Sequence, residues 1–169
     1  MNLSTGVSLG GVVVGLSIAT WYGVRWWTND RGKKGGWRRT LAPFIAFACY
    51  GMLAVLTAGG IVGIITDLTL WGANATGSMA LVYGVGGTSP NVTRTHDLSL
   101  TAGGHAMVVI LTVGIIAAFK FGKRFPKADS GLGIVCGICL GLASSIAGVA
   151  AMVLGPVVST GGDWIVGLL

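Results

Sequence analysis

Four stretches, residues 7–24, 41–66, 98–119 and 131–158, run apolar with no Asp, Glu, Lys or Arg inside them. Each is long enough to cross a hydrocarbon layer, which takes about 20 residues of helix. The absence of charge matters because a central Asp, Lys or Arg costs about 2.5 to 3.5 kcal/mol on insertion, while each Leu, Ile or Val returns only a few tenths. The runs are continuous rather than alternating, and far longer than the roughly 10 residues of a barrel strand, which favours helices. Composition agrees: 53% of the residues are apolar and 9% charged, against about 25% charged in a soluble domain. Neither Glu nor Gln occurs. The expected fold is therefore one all-α integral membrane domain over residues 1–169, with four transmembrane helices arranged as two helical hairpins.

The charges predict sidedness. Between the first two runs, residues 25–40 hold Arg25, Arg31, Lys33, Lys34, Arg38 and Arg39 against Asp30. Between the last two, residues 120–130 hold Lys120, Lys123, Arg124 and Lys127 against Asp129. The remaining connection, 67–97, has only Arg94 against Asp67 and Asp97. Short basic loops stay on the cytoplasmic side, so both termini and the middle connection are expected outside, in a bacterial inner membrane. The ten basic residues of the two loops are candidates for contact with anionic headgroups, each worth roughly 1 kcal/mol near such a leaflet. The same charge beside Trp37 keeps nucleic acid open as a less favoured partner. Trp21, Tyr22, Trp26, Trp27, Trp37, Trp71 and Trp164 stand at the ends of the runs, where an amphipathic ring suits the headgroup layer.

Residues 6–66 and 98–158 share one plan: apolar span, short basic loop, apolar span. Both units enter from outside, so they are parallel repeats, with no sequence identity evident by eye. Small residues recur four apart: Gly11 and Gly15, Gly59 and Gly63, Gly137 and Gly141, Ala143 and Ala147. Such pairs strip bulk from one helix face and let another backbone approach. They are read as helix-packing positions, within the chain or between copies. The middle connection alternates at Leu68 to Trp71 and has a β-favouring run from Met79 to Val85, which predicts a β-like hairpin or a re-entrant excursion.

Candidate chemistry is sparse. Cys136 and Cys139 form C-x-x-C inside the fourth run, without a second Cys or His pair to complete a metal site; packing is the expected role, as for Cys49. His105 lies near His96 and Asp97, about two turns inside the third run. An ionisable group there is a functional candidate, with Asp67 as its partner; the bland alternative is a ring bonded to a backbone carbonyl. Asn2, Asn74 and Asn91 each begin an Asn-x-Ser/Thr sequence on the expected outer side. No nucleotide loop, triad or paired carboxylates occur, so no cofactor, metal or enzymatic activity is expected. The functional expectation is a non-enzymatic subunit of an oligomeric membrane assembly, a pore or conduit of the general kind found in holins or conjugation and secretion machines. The alternatives are an accessory subunit of a larger respiratory, transport or secretion complex, and a small channel or transporter.

Overall fold

The computed structural model describes residues 7–29, 41–57, 60–92, 101–121, 127–141 and 144–168. They form an all-helical fold of six helices: α1 (Leu9–Asn29), α2 (Ala42–Leu56), α3 (Gly60–Met79), α4 (Ala102–Phe121), α5 (Lys127–Gly141) and α6 (Ser144–Gly167). A π-helical turn, Ala80–Gly84, prolongs α3. Extended pairing is confined, among the described residues, to two antiparallel residue pairs between β1 (Val7–Ser8) and β2 (Asn91–Val92).

Two expectations need correction. The run 41–66 is two helices rather than one. Thr57 leaves helical geometry at φ −82°, ψ 99°, and its hydroxyl donates to the Ala54 carbonyl at 2.6 Å, closing the last turn of α2. Gly60 then opens α3 at φ +73°, in the left-handed region that a Cβ disfavours. The axes of α2 and the α3 unit diverge by 108°. The run 131–158 covers most of α5 and the first part of α6, with residues 142–143 between them outside the described residues. Of the described helices taken singly, α4 alone is clearly long and apolar enough to cross a membrane.

The second correction is in the middle connection, which is helical through Gly84 instead of β-like. The alternating runs are four and seven residues long. The helical period beneath them is longer and wins: Gly63, Thr66, Leu70, Ala73 and Gly77 are all buried on one stripe.

α2 and α5 lie side by side at the centre and run parallel. Gly133 meets Phe44, Gly137 meets Ala48 and Gly141 meets Met52, advancing together by one turn. These contacts are between backbones. A Cβ on Gly137 would stand 2.0 Å from the Ala48 carbonyl oxygen, and one on Gly51 would stand 2.4 Å from that of Ile134. α1 runs antiparallel to α5, with Gly15 against Cys139 and Leu140 at one level and Tyr22 against Asp129 at another. α4 packs on α2 through Val108 beside Leu53, Thr112 bonded to Tyr50 at 2.7 Å, and Phe119 edge-on to Phe47.

The two halves repeat each other as three-helix units, α1–α3 and α4–α6. Ser8 and Thr101 occupy the same place before α1 and α4. Each accepts, on its side-chain oxygen, the N–H three residues on: Gly11 at 3.4 Å and Gly104 at 3.2 Å. The next positions also correspond, since Gly10 abuts Gly77 and Gly103 abuts Gly162, a Cβ on Gly77 or Gly162 standing 2.0 Å from the facing carbonyl oxygen.

Candidate functional site

The packing brings polar groups together at the two ends of the bundle. At one end, Asp129 in the first turn of α5 faces the last turns of α1. The Tyr22 hydroxyl donates to Asp129 Oδ1, and Arg25 Nη1 pairs with the same oxygen at 3.2 Å. Tyr22 is 1% exposed, stacked on Phe44 at 4.2 Å. Arg25 also lies over the rings of Trp21 and Tyr22, at 5.5 and 5.8 Å. Asp129 sits where the positive end of the α5 dipole favours a carboxylate. The carboxylate is held by a phenol and a guanidinium from the facing helix. Its chemistry is that of a clamp joining α1 to α5. The expectation that Tyr22 anchors in headgroups fails because its ring is core; Trp21, Trp27, Trp71 and Trp164 are exposed.

Helix ends gather there as well. The ends flanking residues 30–40 and 122–126 are the C-terminal turns of α1 and α4 and the N-terminal turns of α2 and α5. They meet through Tyr22–Phe44, Phe47–Phe119 and Arg25–Asp129. Arg25, Lys120 and Lys127, the Lys and Arg among the described residues, all belong to this end. The remaining loop bases, Arg31, Lys33, Lys34, Arg38, Arg39, Lys123 and Arg124, lie outside the described residues.

At the opposite end the first turn of α1 is saturated. The N–H of Leu9 donates to Pro90 O at 2.9 Å, that of Gly10 to Ser89 Oγ at 3.3 Å, and that of Gly11 to Ser8 Oγ. Ser8 in turn donates to Asn74 Oδ1 from its backbone N–H and its hydroxyl, at 3.1 and 3.0 Å. Ser78 and Ser89 share a hydroxyl bond at 3.0 Å. Asn74 is thus a helical, hydrogen-bonded lock, which argues against its use as a glycan acceptor.

The ionisable residues singled out in the sequence do not assemble into a described centre. His105 is exposed in the first turn of α4, and its Nδ1 bonds the Thr101 carbonyl at 3.0 Å. It therefore sits near the helix start rather than two turns inside. Asp67 is half-buried on α3, the eighth residue of that helix. His96 and Asp97 lie outside the described residues. Among the described residues no three His, Cys, Asp or Glu are grouped to hold a metal. Cys136 and Cys139 are buried; Cys136 Sγ donates to the Gly15 carbonyl at 3.3 Å. Gly11 and Gly63 are buried on their helices, and Gly15, Gly137 and Gly141 lie at helix contacts. Gly59 and Ala143 lie outside the described residues, and of Ala147 only the helical backbone is described.

Sequence reading missed one signal. Ser8-Leu-Gly-Gly and Thr101-Ala-Gly-Gly are the same helix start written twice, a cap followed by two glycines. Compared with known proteins, the chain matches no protein family, no curated protein and no solved structure.

Proposed function

We propose that the protein is a non-enzymatic membrane subunit whose α1, α2, α4 and α5 cross the bilayer, with the basic end in the cytoplasm and the Ser8–Thr101 end outside. The observation that carries this reading is the sorting of side chains. Glycines fill the helix contacts, while bulky apolar residues point away from the chain: Leu16 and Val24 on α1, Ile61, Ile64 and Leu68 on α3, Val109, Ile110, Val113 and Ile116 on α4, Val153 and Val157 on α6. Ile61 is 78% exposed and Ile64 69%. Water would penalise such a surface by roughly 25 cal/mol per Å², whereas lipid does not. The placement of Arg25, Lys120 and Lys127, the described basic positions, at one end supports the sidedness. α2 and α5, at 15 residues each, are about 22 Å long and need local thinning or snorkelling Lys and Arg at their ends.

The subunit works within an assembly, as a conduit between copies or as a support in a larger complex. A passage through one chain is disfavoured, because α2 and α5 touch backbone to backbone along its axis. Many of the small residues are used up inside the chain. Gly23, Gly72 and Gly114, with nothing within 4 Å of an added Cβ, remain for neighbours. Mass measurement in mild detergent tests this: a homo-oligomer supports a conduit, stoichiometric unrelated partners support the accessory role, and a lone monomer refutes both. A small channel or transporter is the second reading, favoured by the break between α2 and α3 within one apolar run. Ion or solute flux into liposomes by the purified chain would support it.

A further inference from the structure

We infer that α3 does not cross the membrane but lies in the plane of the outer leaflet, its bulky apolar stripe set into the boundary between headgroups and acyl chains. The inference rests on the membrane reading above and goes one step beyond it. Levels along α1 carry it. α2 ends near the start of α1: Met52 meets Gly141 of α5, and Cys139, two residues earlier on α5, meets Gly15 of the antiparallel α1, so Leu56, one turn beyond Met52, stands near the level of Gly10. α3 begins at Gly60, close behind that end, and at Gly77 it abuts Gly10. Those two points are seventeen residues apart on α3, about 25 Å of helix, yet both stand within about a turn of the start of α1. A helix that begins and finishes at one level runs across α1, not along it.

The contact pattern agrees. Ser8 meets Asn74, Gly10 meets Gly77, and Val12 packs against the cluster that holds Leu70. Four residue steps of α1, about 6 Å, face seven steps of α3, about 10 Å, and the order of partners does not run steadily either way. The 108° turn between α2 and the α3 unit is the same fact seen from α2.

What covers the outward face follows from its chemistry. Ile61, Ile64, Ile65, Leu68, Trp71 and Met79 are all exposed and recur at helical spacing opposite the buried stripe from Gly63 to Gly77. No Asp, Glu, Lys, Arg or His occurs from 68 to 93, so an electrostatic partner has nothing to grip. Trp71 and Tyr83, both exposed, are the ring types that settle at the headgroup boundary. Half-buried Asp67 and the polar Asn74 and Ser78 flank the stripe, as in helices that lie on a membrane.

The test is depth measurement by spin labels in the full chain reconstituted into phosphatidylcholine vesicles. Cys49 is replaced by Ala, while Cys136 and Cys139, at 1% and 0% exposure, stay in place. Labels go one at a time on Ile61→Cys, Leu68→Cys and Met79→Cys of α3, and on Val109→Cys and Ile116→Cys of α4. The α3 labels are expected at one depth within about 3 Å and more accessible to oxygen than to a water-soluble nickel chelate. The α4 labels are expected to differ by about 10 Å, seven steps at 1.5 Å. A slope along α3 matching that of α4 overturns the inference. So do α3 labels shielded from both relaxants, which would mean that a protein partner covers the stripe. If the α4 labels are also in water, the membrane reading itself has failed.

Discussion

Replacing Gly137 with Ala isolates the contact on which the centre of the bundle depends. The new methyl would stand 2.0 Å from the Ala48 carbonyl oxygen, where a carbon and a carbonyl oxygen normally approach to about 3.3 Å. The obstacle is backbone, so no rotation relieves it, and α2 and α5 must part by roughly 1.3 Å. Parting by about 1 Å forfeits up to half of each pair's dispersion energy, itself about 0.1 to 0.2 kcal/mol. If the contact holds roughly 40 atom pairs, as many as one buried leucine makes, the loss is about 3 kcal/mol. That falls at the upper end of the usual cost of overpacking. Alanine's better helix propensity returns up to about 1 kcal/mol, leaving about 2 kcal/mol net. The assay is unfolding by SDS in mixed micelles, followed by far-ultraviolet circular dichroism. Gly114→Ala is the control, because nothing lies within 4 Å of its added methyl, and it is expected to be neutral or stabilising by up to about 1 kcal/mol. If the two variants unfold alike, close approach of α2 and α5 is not what holds the bundle.

Three further outcomes follow from the ends of the bundle and its thiols. Tyr22→Phe removes the donor to Asp129 and should destabilise by about 1.5 to 3 kcal/mol in the same assay, the range for a hydrogen bond to a charged group; no change would mean that the clamp is ornamental. Ser8→Ala strips the cap of α1 and the hydroxyl that donates to Asn74 Oδ1, leaving the backbone N–H bond to that oxygen. A loss of about 1 to 2 kcal/mol is expected, against about 1 kcal/mol for Thr101→Ala, whose cap bond has no Asn partner of that kind among the described residues; equal losses would contradict the Asn74 lock. In native detergent solution a maleimide should modify half-buried Cys49 first and leave Cys136 and Cys139 unmodified until SDS is added; early modification of either would place α5 outside the core.

Much of the architecture was legible because it rests on composition and periodicity. The helices at 9–29, 102–121 and within 42–56 and 127–141 follow the uncharged runs closely, and Arg25, Lys120 and Lys127, the basic positions among the described residues, fall at one end. The break after Leu56 was not legible as a break: Thr57 and the following glycines are tolerated within apolar helices, and nothing in the residue types fixes Gly60 at positive φ. The helical nature of 68–84 was hidden by β-favouring Val82, Tyr83 and Val85 and by short alternating runs, although the stripe from Gly63 to Gly77 was there to be read. The clamp was half visible. Asp129 and Arg25 stand out as charges, but their pairing requires α1 and α5 to be neighbours, a relation that depends on Gly15 facing Cys139 and that no single helix reveals. His105 shows the opposite case, in which an ionisable residue drew attention that a bond to its own helix accounts for.

The glycine contacts also bear on the entropy of folding. A glycine has no rotamers to freeze, so bringing Gly10 onto Gly77, Gly103 onto Gly162 and Gly137 onto Ala48 orders almost no side-chain torsions. Many of the isoleucines, valines and tryptophans, among them Ile61, Ile64, Val113, Trp71 and Trp164, are left on the periphery, where they keep their torsional freedom. At these contacts dispersion energy is gained at almost no cost in side-chain entropy, although ordering a glycine backbone costs more than ordering any other. The interior also has few alternative ways to settle.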